Sequence, residues 1–433
     1  MPTRPTMTRR TLLKGFAAGS LLGPAIVSST ALGQGDGPPP SERIHVGFIG
    51  IGGQGGGHLT GGPWSIQGGF VARADVHVPC VCDVDARFRN NAKARVEQAY
   101  AARFTKGTYK GCDATADFRE VLGRSDVDAV LIATPDHWHA IISCEAARAG
   151  KDVYCEKPMT RDIAEGRVMV RTIRRTGCIF QVGTQQRSSQ YFQLAIRMLR
   201  QNLIGDIKTV HVGVGGPSTA MWQPAVPVPD GLDWNFWLGP APWRPFNPAY
   251  HPGGFRNCRD FSGGGMTDWG AHHFDIAQWG LGMDGSGPIE IYPPDGKDFT
   301  TLTYRYANGV WMYHGGANGI LFTGSDGKIE VNRGYLRTWP ANLRLRAMAP
   351  ADQFGRGSLG HAGNWLECVR TRQNPVTPVQ VGHRSVSVCH LGNIGYWLKR
   401  PLTWDPVRED FVGDPSASRW LDRPKRAPWR LTG

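Results

Sequence analysis

The segment Gly263-Gly264-Gly265-Met266-Thr267-Asp268-Trp269-Gly270-Ala271-His272-His273-Phe274-Asp275 concentrates residue types that move protons. On a continuous helix Asp268, His272 and Asp275 stand at i, i+4 and i+7 and share a face, whereas His273 is turned away by about 100°. An imidazole, with an ordinary pKa near 6.5, suits the removal or return of a hydroxyl proton. Oxidation of a secondary alcohol requires that proton step together with departure of a hydride. A cation beside the same oxygen steadies the charge that develops there, and Lys157, in Cys155-Glu156-Lys157-Pro158, is the candidate. The expected roles are His272 as acid/base, Lys157 as partner of the oxygen, and Asp268 as hydroxyl ligand and electrostatic tuner of His272. Asp275 is expected to orient a helix neighbour or touch substrate. Two other readings of this face stand beside that one. Carboxylate and imidazole also suit zinc or iron, although no further ligand cluster follows and no metal is expected. A capped structural helix with satisfied polar residues is the other.

Such chemistry needs a scaffold that presents strand ends. Ile44-His45-Val46-Gly47-Phe48-Ile49 is a short apolar strand running into Gly50-Ile51-Gly52-Gly53-Gln54-Gly55, a G-x-G-x-x-G turn. Gly50 serves the tight turn, Gly52 and Gly53 let backbone N–H groups approach a pyrophosphate, and Gly55 lets the helix pack close to the sheet. The next strand ends at Asp83, whose carboxylate suits both ribose hydroxyls of adenosine and repels a 2′-phosphate, so NAD is favoured over NADP. Its distance from Gly55 exceeds the usual spacing of about 20 residues, an excess taken up by a Gly-rich insert at 61–74. Asp85 is a rival that better suits a helix cap. The β/α alternation continues through strands at 128–133, 151–155 and 179–182, implying a doubly wound parallel sheet with ligands at its carboxyl edge. Thr134-Pro135-Asp136-His137-Trp138-His139 and Glu156-Lys157 follow two of those strands, so Thr134, Pro135, His137, His139, Glu156 and Lys157 are expected beside the cofactor. Beyond Gln186 and Arg187 the pattern changes to period-2 runs joined by turns such as Asn308-Gly309 and Asp326-Gly327. This predicts an α+β second domain with an open, mostly antiparallel sheet. Between the halves, 215–262 is rich in Pro, Gly and Trp, and part of it is expected to wall the substrate. Gln186, Arg187, Trp222 and Asp275 are the candidate substrate contacts.

The glycine loop, Asp83, the Ala-Thr-Pro-Asp-His-Trp-His run at 133–139 and Cys155-Glu156-Lys157-Pro158 together resemble the Gfo/Idh/MocA family from about Arg43 to the C-terminus. That resemblance implies an NAD(P)-dependent oxidoreductase of sugars, polyols or their derivatives. It also implies that Lys157, Asp268 and His272 form the catalytic group, that the second domain mediates a homo-oligomer, and that late helices within 363–398 pack back on the first domain. Some relatives are NAD-dependent glycosidases working by redox-neutral oxidation and elimination, so that activity is the alternative; no Thr-His-Gly segment of one such branch is present. A non-catalytic sugar-binding protein is a lesser alternative.

The chain has 433 residues, 40% of them hydrophobic, and a net charge of +13. Its basic excess is diffuse, without the stripe of a nucleic-acid groove, so nucleic acid is not an expected partner. Thr8-Arg9-Arg10-Thr11-Leu12-Leu13-Lys14 precedes an apolar stretch from Gly15 to Val27, too short to span a bilayer but suited to a signal peptide. Ala31-Leu32-Gly33 offers a cleavage site before Gln34, and the paired arginines point to the twin-arginine machinery, which exports folded proteins. Nine dispersed cysteines without Cys-x-x-Cys spacing fit a protein that folds in a reducing compartment first. The expected organisation is a signal at 1–33, a linker at 34–43, a dinucleotide domain at 44–184 and a substrate and oligomerisation domain at 185–433. The expected location is periplasmic or otherwise exported, without stable membrane insertion. A cofactor carried outside the cytoplasm must be tightly bound and regenerated in place. Replacing Arg9 and Arg10 together by Lys is expected to hold the protein in the cytoplasm, with unchanged export in a fractionation assay as the contrary result.

Overall fold

The computed structural model describes residues 38–62, 64–101, 103, 109–343 and 360–432; the signal-peptide segment lies outside them. Parallel strands β1 (Ile44–Ile49), β2 (Val76–His77), β3 (Cys80–Cys82), β4 (Asp113–Thr115), β5 (Ala129–Ile132), β6 (Asp152–Cys155) and β7 (Phe180–Val182) form the first sheet. Its order is β4-β3-β1-β5-β6-β7, with β2 paired to the start of β1. The order reverses beside β1, so the carboxyl ends of β1, β3 and β5 open a crevice for a ligand. Val130 and Ile132 of β5 pack into one core with Ile141, Val170 and Ile173, whereas Ala129 and Leu131 join Leu59, Val96 and Trp365 on the other face. Both faces are thus covered by helices, and the strands read as unbroken apolar runs for that reason. The strand expected at 78–82 is interrupted at Val78-Pro79, because a proline removes a ladder donor.

The second sheet contains β8 (Ile207–Val212), β9 (Glu290–Tyr292), β10 (Thr303–Arg305), β11 (Trp311–His314), β12 (Ile320–Gly324), β13 (Lys328–Asn332), β14 (Tyr335–Trp339), β15 (Leu402–Asp405) and β16 (Asp410–Phe411). Its order is β14-β13-β12-β8-β11-β10-β9-β15-β16, antiparallel apart from the β8–β11 pair. The turns at Asn308-Gly309 and Asp326-Gly327 close the β10–β11 and β12–β13 hairpins. The helices Gln190–Arg200, Gly270–Leu281 and Val379–Leu398 bury this sheet's inner face, with Phe192, Phe274 and Leu391 in one core with Phe322 and Tyr304.

Late parts of the chain complete the first sheet. The helix Gly360–Thr371 sends Trp365, fully buried, against Phe70 and Tyr154. Farther on, Trp429 stacks on Phe236 at 5.4 Å and meets Trp138 edge-on at 4.6 Å. Arg426 bonds the Gly239 carbonyl and the Asn235 side chain. Arg423 Nε donates to Asp162 Oδ1 at 2.5 Å, and Arg161 Nη2 donates to Asp162 Oδ2 at 3.0 Å. Asp162 is buried, and these two arginines overcome its desolvation to hold its carboxyl well below the usual range. All nine cysteines are free, eight of them buried and Cys178 half-buried. Among the described residues no helix is long and apolar enough to cross a membrane. Asp162→Asn removes the carboxylate shared by the buried Arg161 and the part-buried Arg423, so a loss of about 3 kcal/mol is expected, read as a lowered urea midpoint.

Candidate functional site

The glycine turn behaves as its spacing predicts. Gly50 has φ +81° and a Cβ there would lie 2.7 Å from the Ala133 backbone; one at Gly55 would lie 2.0 Å from the Gly50 carbonyl. Gly52 and Gly53 instead face room: a Cβ on Gly52 would meet only Phe88 beyond 3.6 Å, and one on Gly53 would meet nothing within 4 Å. The helix Gly53–Thr60 starts there, so its free N–H groups and positive dipole end point at a space that suits a pyrophosphate. These residues edge a cleft of about 390 Å³ that runs past Asp83, Thr134 and Pro135 to Lys157 and Asp268. Asp83 Oδ2 accepts from Ile51 N at 2.8 Å and Oδ1 from Asp85 N at 2.9 Å. Burial pushes its carboxyl up, while those N–H donors favour the charged form. Asp85 is occupied by Arg87 and His251, which outweigh its burial and hold it at about 2. Of the two acids, Asp83 is the one that faces the cleft. The open glycine cradle, Asp83 and the buried, unbonded Thr134 hydroxyl fit a dinucleotide.

At the far end, Lys157 Nζ donates to Asp268 Oδ1, which also faces Arg256 Nε at 3.4 Å. Burial opposes ionisation of Asp268, but these cations hold its carboxyl below the ordinary range. Asp268 ends a single helical turn, Gly265–Asp268, and the helix Gly270–Leu281 begins after Trp269. The helix expected over 268–275 is interrupted only at Trp269, whose backbone stays in the right-handed helical region at φ −84° and ψ −30°. Asp268 turns to Lys157 and Arg256, and it pairs with the lysine instead of His272. His272 is buried, its Nδ1 has no hydrogen-bond partner, and burial with Lys157 and Arg333 nearby drives its pKa well below 6.5. It is a neutral imidazole at neutral pH. His273 is fixed elsewhere, its Nδ1 3.0 Å from the Gly213 carbonyl.

Several expected contacts serve the scaffold instead. His137 donates Nε2–H to the Trp237 carbonyl at 2.9 Å and is buried, with its pKa lowered to about 3 by desolvation. It ties the 215–262 loop to the helix Asp136–Arg148. His139 Nδ1 lies 2.7 Å from the Pro158 carbonyl and Nε2 lies 2.8 Å from the Thr134 carbonyl. Both ring nitrogens face acceptors, so both carry protons. Burial opposes that charge, but Cys155, Asp136 and the Pro158 carbonyl raise the pKa to about 10. Asp275 and Arg187 also leave the substrate list. Arg187 forks onto Asp275 at 2.8 Å through Nε and Nη2 and reaches Asp284, while Ser385 donates to Asp275 at 2.6 Å. Asp275 is thus committed to Arg187, and among the described residues no group of three or more His, Cys, Asp or Glu is placed to hold a metal. Gln186 is buried with neither amide atom bonded, outside the residues that line the cleft. Trp222 is 69% exposed, with Arg244 over its ring at 4.5 Å, and it too lies outside the lining.

Other residues matter that sequence reasoning passed over. His58 and Gln185 both donate to Glu156 Oε1, at 2.8 and 3.0 Å, and so anchor the segment carrying Lys157. Despite burial, His58 and Lys157 keep the Glu156 carboxyl below its usual range. Phe236, Trp237, His251 and Phe255 bring the long loop over the cleft. Position in the sequence gives no sign of these pairings; only the Trp content of the loop pointed to a wall over the cleft.

Two family domains match the chain: "Oxidoreductase family, NAD-binding Rossmann fold" over residues 44–184 and "Oxidoreductase family, C-terminal alpha/beta domain" over residues 217–431. The chain belongs to the Gfo/Idh/MocA oxidoreductase family, and its first half is an NAD-binding Rossmann domain. A glycosyl hydrolase family 109 protein of Shewanella pealeana is 26% identical over 174 residues, covering 39% of this chain and 34% of that protein. An alpha-N-acetylgalactosaminidase of Shewanella oneidensis is 27% identical over 171 residues, with the same coverage. The match thus spans about a third of these relatives' length. Among solved structures, the WlbA dehydrogenase of Bordetella pertussis, in complex with NADH and UDP-GlcNAcA, has a TM-score of 0.58 at 18% identity, covering 84% of this chain and 99% of that one. An aldose-aldose oxidoreductase of Caulobacter crescentus gives 0.54 at 17% identity, covering 83% and 99%. At these identities the likeness is one of fold.

The His139 bridge makes a pH prediction. Its folded pKa, about 10, lies above the unfolded value near 6.5, so its contribution is complete below about pH 6.5 and is lost as pH rises towards 10. The melting temperature of the native protein is expected to fall across that window more than that of His139→Gln. Parallel curves would contradict the doubly protonated ring.

Proposed function

We propose that this protein transfers hydride between a tightly held NAD and a hydroxyl of a sugar, polyol or glycoside, outside the cytoplasm. The observation that carries the reading is the Lys157–Asp268 pair at the end of the glycine-loop cleft, with the neutral His272 imidazole buried just outside the lining residues. Bound NAD supplies the hydride acceptor or donor. Lys157 lends a proton-rich, positive contact to the reacting oxygen, which lowers the cost of deprotonating the alcohol. Asp268, paired with that ammonium, keeps it aimed. His272, uncharged, is free to accept the hydroxyl proton and later return it. Asp83 supports NAD over NADP through its negative charge at the ribose end. The loop residues Phe236, Trp237 and Phe255 over the cleft support slow cofactor release. Export by the twin-arginine route rests on Arg9, Arg10 and the apolar segment behind them, and a homo-oligomer through the second sheet rests on the family resemblance.

The names of the curated relatives favour a second reading, a glycosidase that oxidises, eliminates and reduces within one cycle. In that case the same Lys157 and His272 would act on successive protons, and no net NADH would appear. Glycosides offered to the purified enzyme separate the two: aglycone release without net NADH supports the glycosidase, and a keto-sugar with an acceptor requirement supports the oxidoreductase.

Lys157→Ala and His272→Ala are each expected to lower kcat by about 10²–10⁴-fold with bound dinucleotide retained. Asp268→Asn keeps a hydrogen-bonding partner for Lys157 and should lose less. His273→Ala should be milder than His272→Ala. Single-turnover absorbance of the bound cofactor is the measurement, and full turnover in His272→Ala would remove it from the proton step.

A further inference from the structure

The Asp83 end of the cleft is closed by parts of the chain that come much later in sequence. Immediately after Asp83 the long loop is stitched to the backbone. Asp233 N donates to the Val84 carbonyl at 3.1 Å, and Ala86 N donates to the Gly231 carbonyl at 2.9 Å. The short helix Trp234–Leu238 follows and sets Phe236 into the cleft lining, 6.1 Å from the ring of Phe118. Phe118 opens the helix after β4, and the Thr115 carbonyl that ends β4 accepts from Asp83 N at 3.2 Å. Phe118 and Phe236 therefore stand at the Asp83 end of the cleft.

Phe236 does not hold this place alone. A helix of five residues has little stability of its own, and the end of the chain backs it. Trp429 stacks on Phe236 at 5.4 Å with the ring planes 9° apart, and the Arg119 guanidinium lies over both rings, at 5.6 and 5.7 Å. Arg426 grips both ends of the helix. Its Nη1 and Nη2 donate to the side chain and carbonyl of Asn235 at 2.7 Å, and its Nε and amide donate to the Gly239 and Pro240 carbonyls at 2.9 Å. Neither Arg426 nor Trp429 lines the cleft, so any effect they have on it passes through Phe236. Both are half-buried, and a chain end held by such contacts opens more cheaply than the core does.

Building on the tight hold on NAD proposed above, we infer that the C-terminal tail latches the cofactor site: Arg426 and Trp429 keep Phe236 over the adenosine end, and NAD leaves when the tail detaches. An adenine ring offers an apolar face that suits an aromatic neighbour. Arg426 and Trp429 are positioning residues, since they act through Phe236 and touch neither cofactor nor substrate. Release of the dinucleotide is then governed by a segment remote from Lys157 and His272, and the two ends of the cleft are under separate control.

The test loads the holoenzyme with radiolabelled NAD and follows its release during a chase with excess unlabelled NAD. Arg426→Gln and Trp429→Ala are each expected to release NAD about 10–100-fold faster, the range of one lost base–aromatic contact. Trp429→Phe, which keeps a stacking ring, is expected to recover most of the native release time. Phe322→Leu loosens the second sheet's core and is expected to leave release unchanged. Arg426→Gln alters neither the cleft lining nor the aromatic cluster, so it decides the outcome even where Trp429→Ala does not fold. Native release in Arg426→Gln, or equal acceleration by Phe322→Leu, overturns the inference. Failure of the tight-hold reading looks different: the native protein exchanges NAD within the mixing time of the chase, and stopped-flow displacement still finds Arg426→Gln faster by the same factor.

Discussion

One imidazole holds the two functional loops of the first domain in register. The strand ends after β5 and β6 leave carbonyls at Thr134 and Pro158 that no neighbouring strand can satisfy, and His139 donates to both. An unpaired buried carbonyl is expensive to leave, so the ring stays charged although buried, with the Asp136 carboxyl beside it. The loop that edges the cofactor cleft and the loop that carries Lys157 are thereby fixed relative to each other. Glu156, held from below by His58 and Gln185, fixes the second loop to the helix of the glycine turn. The position of the Lys157 ammonium is a consequence of these two clamps more than of its own side chain.

Burial of charge is organised on the same lines in the second domain. The helix Gly270–Leu281 sits between the sheet and the helix Val379–Leu398, so nearly every residue along it is hidden from water. Burial pushes the Asp275 carboxyl up, and the two-pronged contact from Arg187 and the bond from Ser385 offset that only in part while holding the side chain in place. His272 has no such partner, and it gives up its charge instead. Two polar residues three positions apart on one helix thus reach opposite solutions, which is how one of them stays chemically available.

How much of this could be read from the sequence depends on the range of the interaction. The glycine turn, the alternating strands and helices, and the hairpins at Asn308-Gly309 and Asp326-Gly327 are local, and local periodicity exposes them. Lys157 and Asp268 were legible as a pair because both carry chemistry, although they are far apart in the chain. The partners of Asp275, His137 and His139 were not: Arg187, the Trp237 carbonyl and the Thr134 and Pro158 carbonyls are chosen by tertiary packing. The three side chains assumed to work from one helical face have separate partners: Asp268 meets Lys157 and Arg256, Asp275 is held by Arg187, and His272 Nδ1 has none, a difference that side-chain spacing does not register. Arg256 was missed for a related reason, since the long loop delivers it from a separate part of the fold.

Trp365 and Trp429 carry a consequence for synthesis. One face of the first sheet is closed by Trp365, and the aromatic corner of Phe118, Trp138 and Phe236 is closed by Trp429. On the ribosome the glycine turn emerges hundreds of residues before either tryptophan. The nascent first half therefore waits with apolar surface uncovered until the segments carrying Trp365 and Trp429 emerge and dock. Capture of the cofactor then follows docking of these segments, and any quality check that senses it inspects both halves of the fold at once.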